Sequence, residues 1–523
     1  MKDLIEKTDV LIIGTGLSAC TTAFSLLEEN PNIQITMLSS ARDLDYSASA
    51  WAQGGIVYKN PNEQSSDLVK DILNAGAGLS NPIAANILAE EGPELTQHIL
   101  LDTLKVPFEK DDGDYKLTEE AAHSFPRILY CADQTGLSIQ THFLQYLKQH
   151  KNIRLLNSHT AIDLLTPSHH STNQLDRYAA QKCVGAYVFD EQAQRVKTIL
   201  SHHTVLATGG LGRLFLNTTN PKLSRGDGVA MAYRLGARVM NLEFIQFHPT
   251  AFYKKGSKKF LISETLRGEG GVLIDHAGYA FMKDYHSLAD LAPRDIVARS
   301  IHNEMLKQNV NNVYLDISHK DEKWLKNRFP YIYEKCLMQG INISKDPIPV
   351  VPAAHYSCGG VYTNENAQTS IEQLWAVGET ACTGLHGANR LASTSLLENI
   401  VFGYRGGKAI AEKLKHPSEH FDHIAEWKNG DIVIEDELLV QDWISIQHTM
   451  WNYVGLVRTP QRLDRAQGII RTLSDDIAKF YANGKLTQNL LALRNAITVA
   501  QLIVTAAQRN KYSQGCHYLK NQK

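Results

Sequence analysis

Three short runs of the 523-residue chain concentrate groups able to act on an anion: Gln246-Phe247-His248-Pro249-Thr250, Ser263-Glu264-Thr265-Leu266-Arg267-Gly268-Glu269-Gly270 and Leu291-Ala292-Pro293-Arg294-Asp295. Guanidinium groups grip anions in a planar, two-pronged way, and imidazole and hydroxyl groups add hydrogen bonds that charge strengthens. Taken singly, each His or Arg would serve equally in an ordinary surface pair. The set carries more weight, because Val350-Val351-Pro352-Ala353-Ala354-His355-Tyr356 and Gly387-Ala388-Asn389-Arg390 repeat the theme further along.

A second chemistry sits near the N-terminus. Gly14-Thr15-Gly16-Leu17-Ser18-Ala19 follows an apolar run and opens a helical pattern. Glycines there let the backbone approach a pyrophosphate that the helix N-terminus stabilises; a plain tight turn is the alternative. Ser39-Ser40 stand where NAD folds carry a ribose-gripping acid, which argues against NAD. Val205-Leu206-Ala207-Thr208-Gly209-Gly210 and Leu374-Trp375-Ala376-Val377-Gly378-Glu379 are further strands running into glycine, the second with an acid placed to accept a ribityl hydroxyl. Either alone would be a strand with a turn. Together with the first they match a three-part FAD-binding pattern. Ser47-Ala48-Ser49-Ala50-Trp51-Ala52-Gln53-Gly54-Gly55-Ile56 is either a featureless small-residue loop or a surface against which an isoalloxazine ring can lie flat.

These groups need elements to position them. From Thr8 to Leu38 the pattern reads strand (Asp9 to Ile13), turn, helix (Leu17 to Glu28), Asn-Pro break and strand (Ile33 to Leu38), a βαβ opening. Between Ile153 and Gly210, β-rich runs (Ile153 to Leu156, Gln181 to Phe189, Thr198 to Thr208) flank a polar stretch, Ser158 to Asn173, that reads as loop. From about Leu242 to Tyr356 helices mix with Gly/Pro turns, and Leu374 to Val377 then restores a buried strand, as an inserted domain would require. Beyond Trp427, apolar residues recur at helical spacing (Leu463, Ala466, Ile469-Ile470, Leu473), which predicts a small helical bundle. The expected fold is α/β: a Rossmann-type FAD-binding domain in two parts (1–241 and 357–426), an inserted α+β capping domain (242–356) and a C-terminal helical domain (427–523).

The loop Ser47 to Ile56 resembles the flavin loop of the succinate dehydrogenase and fumarate reductase flavoprotein family, and the His/Arg blocks look like that family's dicarboxylate site. Glu119-Glu120-Ala121-Ala122-His123-Ser124, Tyr314-Leu315-Asp316-Ile317-Ser318-His319, Thr383-Gly384-Leu385-His386-Gly387-Ala388-Asn389-Arg390 and Tyr453-Val454-Gly455-Leu456-Val457-Arg458-Thr459 are similar to its L-aspartate oxidase branch, in the same order and over nearly the whole chain. The resemblance implies oxidation of L-aspartate to iminoaspartate, with O2 or fumarate as acceptor, at the start of the quinolinate route to NAD and coupled functionally to quinolinate synthase. Ala48 stands where membrane-linked members carry a histidine bonded to flavin, so noncovalent FAD is implied.

The same resemblance implies that Gly14, Thr15, Gly16, Leu17, Ser40, Ser47, Ala48, Ser49, Ala50, Trp51, Ala52, Gln53, Gly54, Asp227, Glu379, Ser395 and Leu396 hold FAD. A helical run from Leu396 to Phe402 would turn its positive end toward the ring. His248, Ser263, His355 and Arg390 would clamp two carboxylates, and Glu120 would pair with the ammonium. Arg294 would handle the proton, with Glu264 and Arg267 at i, i+3 as a relay and His248 or His355 in reserve. A guanidinium has a pKa above about 12, so this role demands a closed, dry site. The chain departs from the branch at Ser263 (usually Thr), at Ala121-Ala122 (usually two glycines) and at Tyr512-Ser513-Gln514-Gly515 (usually Glu-Ser-Arg-Gly), the last putting tail packing and its ion pairs in doubt. Two other classes fit the same motifs: a soluble fumarate reductase or succinate-oxidising flavoprotein, and a flavin subunit that delivers electrons to a bound partner.

Composition narrows the classes. Lys plus Arg, 53, against Asp plus Glu, 55, leaves a net charge of −2, which disfavours a nucleic-acid binder. No stretch reaches the roughly 18 consecutive apolar residues of a membrane span, and Met1 to Lys7 lack a signal-peptide core, so no membrane partner and a cytoplasmic address are expected. Seven cysteines never fall as CxxC, and His169-His170 and His202-His203 are adjacent pairs that read as solvated loop histidines, so no metal is expected.

Overall fold

The strand Ile5–Ile13 ends on Gly14, and the helix Leu17–Glu29 starts just beyond it, as the βαβ reading requires. In this computed structural model, which describes residues 5–120, 122–257, 259–416 and 419–520, the strand is central to a seven-stranded sheet. Met1–Leu4, part of the run read for a signal peptide, and Ala121 lie outside the described residues. Ile153–Leu156, Ile35–Leu38, Ile5–Ile13 and the end of Arg195–Leu206 run parallel, and Leu374–Ala376 joins the latter in parallel. Ile13 pairs with both Leu38 and Leu206, and Leu206 with Ala376. The three glycine-bearing fragments therefore end at one level, on the carboxyl edge where open α/β sheets bind ligands.

Two readings need correction. Ser158 to Asn173 is not loop throughout: His159–Leu164 is a buried strand, antiparallel to Gly185–Asp190, and Pro167–His170 is a helical turn. The polar residues that disguised it have partners inside the sheet, Thr160 Oγ1 donating to Glu191 at 2.9 Å and His159 lying 3.4 Å from Asp190. Nor is the pair His202-His203 solvated loop. His202 and His203 lie on Arg195–Leu206; His203 is buried and accepts from Trp375 Nε1 at 3.2 Å, and His202 stacks on His420 at 3.9 Å and 18°. Asp9, His202 and His420 bring ligand atoms within 4.8 Å. Near-parallel rings, however, send their lone pairs side by side, away from any shared metal position.

Between the two parts of the large sheet the chain builds a four-stranded antiparallel sheet, in order Ile245–Phe252, Ile348–Ser357, Val313–Asp316, Val272–Ile274, with its own core around Phe252, Phe281, Ile301 and Leu325. Helices Asp436–Val454, Pro460–Asn483 and Gln488–Arg509 form the C-terminal helical region. Among the described residues only Gln488–Arg509 is long and apolar enough to cross a membrane (mean hydropathy 1.6), and its apolar side chains, such as Leu493, Ile497 and Ile503, are core. The expected run Leu396 to Phe402 is the start of a longer helix, Thr394–Lys413.

Candidate active site

A cleft opens over the carboxyl edge of the large sheet and continues under the inserted sheet. Of the residues expected to hold FAD, bind substrate or move the proton, all but Leu17, Ala50 and Arg267 line it. Leu17 buries its side chain in the core and gives its N–H to Ser49 Oγ (3.2 Å), Ala50 gives its N–H to Ser47 Oγ (3.1 Å), and Arg267 stands behind Glu264.

The sheet end of the cleft fits a dinucleotide. Gly14 has φ of +130°, and a Cβ there would lie 2.1 Å from the Ala207 carbonyl oxygen, so only glycine lets the turn cross the strand end. Glu379 accepts from Ser357 N and Oγ (2.9 and 3.1 Å), and burial raises its pKa to about 7. Asp227 opens the helix Asp227–Arg234 and is held by Arg225 (2.7 Å) and Asn495 (2.9 Å). Gln488 donates to Ser40 O at 3.1 Å, and Ser395 and Leu396 bring the first turn of Thr394–Lys413 to the wall.

The cationic groups gather where the two sheets meet. His355 is the extra residue in a bulge, since Gln246 pairs with Tyr356 but Phe247 with Ala354, and a second irregularity follows His248. Bulges re-aim side chains, and here they bring the two imidazoles to 5.1 Å. His248 Nδ1 lies 3.2 Å from both the N–H and the carbonyl oxygen of Thr250, which orients the ring. Thr219 Oγ1 fixes His355 Nδ1 at 2.9 Å. Burial, and then the neighbouring Arg294 for His248 and His248 itself for His355, hold both pKa values well below the usual imidazole range.

Arg294 is the first residue of the helix Arg294–Gln308 and pairs with Glu264 at 2.5 Å; Glu264 also takes Arg267 Nη2 at 2.7 Å, and Arg267 Nη1 donates to Asp290 O. Burial would push the Glu264 pKa up, but Arg294 and Arg267 outweigh it and hold it low. Burial lowers the Arg267 and Arg390 pKa values, with Arg294 adding to the effect on Arg390. Arg390 Nη1 donates to Ser395 Oγ (3.1 Å) while its buried Nε has no partner among the described residues, a donor left for an incoming anion. Ser263, whose Oγ lies 3.0 Å from Thr265 Oγ1, completes the wall.

Glu120 approaches from the opposite side. Its loop is anchored by Arg127, fully buried and paired with Glu63 (2.9 Å) and Asp71 (2.8 Å), and by His123 Nε2, which donates to Ala392 O at 2.9 Å. Ser393 Oγ donates to Glu120 Oε2 at 2.7 Å. Oε1 leans over Gly54, where a Cβ would sit 2.8 Å away. Burial raises the Glu120 pKa, against the pull of Arg294 and Ser393. Ala122, where the resembling branch has glycine, takes φ of +68°, a left-handed conformation that strains an alanine.

Sequence reasoning gave no role to Gln246, whose Oε1 accepts from Arg294 (3.4 Å) and whose Nε2 donates to Arg390 O (2.8 Å), nor to Ser393 and Tyr356. Ser393 lay between the Arg390 motif and the helical run from Leu396; Gln246 and Tyr356 stood inside quoted motifs, so the motif was the signal. Thr219 had none. The divergent tail packs through neutral groups: Gln514 Nε2 donates to Ala77 O (2.6 Å) and Cys516 N to Ala388 O (2.9 Å).

The pattern of the family described as FAD binding domain matches residues 9–396, and that of the fumarate reductase flavoprotein C-terminal family matches 444–522. Over 520 residues the chain is 44% identical to L-aspartate oxidase 1 of Ralstonia nicotianae, covering 98% of this chain and 95% of that one. It is 41% identical to L-aspartate oxidase of Yersinia pestis over the same shares. Among solved structures, an E. coli quinol fumarate reductase chain superposes with a TM-score of 0.88 at 26% identity, covering 99% of this chain and 92% of that one.

Proposed function

The chain belongs to the FAD-binding flavoprotein family of succinate dehydrogenase and fumarate reductase, and from that premise we propose that it oxidises L-aspartate to iminoaspartate, with fumarate or O2 taking the electrons. The observation that carries the choice of substrate is Glu120, a buried carboxylate that, unlike the arginine-paired Glu264, has only the Ser393 hydroxyl as its hydrogen-bond partner among the described residues, because only an amino dicarboxylate brings an ammonium to meet it. Arg390, His248, Ser263 and His355 bind the two carboxylates. Hydrogen bonds to a charged group of this kind contribute about 1.5–3 kcal/mol each.

FAD, when bound by the glycine turn, the Ser47 to Gly54 loop, Asp227, Glu379 and the start of Thr394–Lys413, supplies a two-electron acceptor. The protein's own work is to orient the substrate and to move a proton. Arg294 takes the proton from substrate carbon after passing one to Glu264, and gives it back in the direction of fumarate reduction. Glu264 stands between Arg294 and Arg267, so the charge left on either arginine is met at hydrogen-bond distance. Burial of Arg267 and Glu264 excludes water from the pair.

The proposal also includes noncovalent FAD, supported by the unreactive methyl of Ala48 in the cleft wall. Residues 242–356 act as the cap over 1–241 and 357–426, with 427–523 as the helical domain. The seven cysteines stay unpaired, which suits a cytoplasmic address, and the product suits transfer to quinolinate synthase. Anaerobic mixing of the yellow protein with L-aspartate, D-aspartate and succinate in turn tests the reading. L-Aspartate alone should bleach the visible flavin band quickly; bleaching by succinate at an equal rate would overturn the choice of substrate.

A further inference from the structure

Arg390 lies on a platform. Its guanidinium carbon sits 4.5 Å above the centre of the Tyr356 ring. The Tyr356 hydroxyl donates to Glu398 Oε2 at 2.9 Å, and the same oxygen is met by His386 Nε2 at 2.8 Å. Thr383 Oγ1 donates to the other Glu398 oxygen at 2.8 Å, and the His386 ring stands edge-on to Tyr356 at 5.1 Å and 90°. Tyr356, His386, Glu398 and Thr383 are all buried. A phenol fixed at its hydroxyl by a carboxylate cannot swing, and an electron-rich ring with no water above it attracts a cation more strongly than an exposed one.

We propose that Tyr356, locked by Glu398 and His386, is a positioning residue for Arg390: it holds the guanidinium flat so that the unpartnered Nε and a terminal nitrogen face one substrate carboxylate together. The proposal rests on the reading of Arg390 as the carboxylate clamp. Among the described residues Arg390 otherwise has a single side-chain hydrogen bond, to Ser395, so without the ring its side chain is free to leave the binding geometry. Apparent affinity falls with the fraction of protein in the competent state. A desolvated cation–π contact sets that fraction by up to about thirtyfold, or about 2 kcal/mol at 1.4 kcal/mol per tenfold.

The test uses full-length, FAD-loaded protein and reads succinate binding from the change it causes in flavin absorbance, together with KM and kcat for L-aspartate. Tyr356→Leu should weaken succinate binding and raise KM by up to about thirtyfold while kcat changes far less. Tyr356→Phe, which keeps the ring and loses only the hydroxyl, should restore most of the loss and also serves if the leucine variant folds poorly. In an Arg390→Lys background the effect of Tyr356→Leu should largely vanish, because a compact ammonium has no plane to be held. Tyr356→Leu binding succinate within twofold of the parent, or an undiminished effect in the Arg390→Lys background, would overturn the proposal. Failure of the parent protein itself to bind succinate or to oxidise L-aspartate would instead refute the functional reading beneath it.

Discussion

Glu120→Gln separates aspartate chemistry from dicarboxylate chemistry in one substitution. Glutamine keeps the length of the side chain, and its carbonyl oxygen can still accept from Ser393 Oγ, which now sits 2.7 Å from Oε2, so the loop anchored by Arg127 and His123 has no reason to move. The charge facing the ammonium is lost. A charge-assisted contact in a buried site contributes about 1.5–3 kcal/mol, so kcat/KM for L-aspartate should fall roughly ten- to over a hundredfold. Fumarate has no ammonium, and its reduction should stay within about threefold, less than one charge-assisted contact would cost. The assay is the ratio of the two activities on one preparation of known FAD content. Stability supplies an independent sign. A carboxyl whose folded pKa is raised contributes stability below its unfolded pKa and loses it as pH rises through the folded value, and burial raises Glu120. Near neutral pH the glutamine variant should therefore be at least as stable as the parent. Equal loss of both activities, or a fall in stability, would falsify the ammonium role and make Glu120 a structural residue.

Arg294→Leu with FAD retained should collapse kcat for aspartate and for fumarate reduction alike, whereas Arg390→Leu should act mainly on KM; near-normal kcat in the first variant would move suspicion to His248 or His355. Acid precipitation should leave the yellow colour in the supernatant, and flavin fluorescence travelling with the denatured chain would rule out noncovalent binding. Ala122→Gly should raise stability by about 1 kcal/mol, read from thermal unfolding, because φ of +68° costs an alanine that a glycine does not pay; an unchanged or lower melting temperature would show that no strain is held there. Succinate binding should take up a proton and L-aspartate binding should not, measured by calorimetry in buffers of different protonation enthalpy; equal uptake for the two ligands would contradict the assignment to Glu120.

Those elements whose signal is local were legible in the sequence. Gly14-Thr15-Gly16 between a strand and a helix, and two strands running into glycine at Gly209 and Gly378, give themselves away because a backbone near a dinucleotide tolerates few side chains there. The strand His159–Leu164 did not, because its polar residues are satisfied by Asp190 and Glu191 across the sheet, and periodicity cannot see a partner distant in sequence. The helix from Thr394 was read short for a related reason: Gly403, Gly406 and Gly407 look like breaks until their close packing against Thr21, Ala367 and Ser25 respectively is known. At the site, residue types pointed to an anion, but the roles of Gln246, Ser393 and Tyr356 depend on which neighbours the two sheets bring together.

The charges of the site explain how one cleft can serve two kinds of ligand. Arg267, Arg294 and Arg390 bring three guanidinium groups, Glu120 and Glu264 two carboxylates, and burial keeps His248 and His355 neutral, so the dicarboxylate end holds one positive charge when Glu120 is ionised. L-Aspartate, with two carboxylates and an ammonium, brings one net negative charge and balances it. Succinate and fumarate bring two, and the excess is removed only if Glu120 takes up a proton. Its pKa is already raised by burial, and a second anion nearby raises it further, whereas an ammonium lowers it. Glu264 does not share that task, because Arg294 and Arg267 hold it ionised at rest, and it takes a proton only in transit from Arg294. The two buried glutamates thus divide the work: Glu264 relays the proton of Arg294, and Glu120 changes its charge to match the ligand.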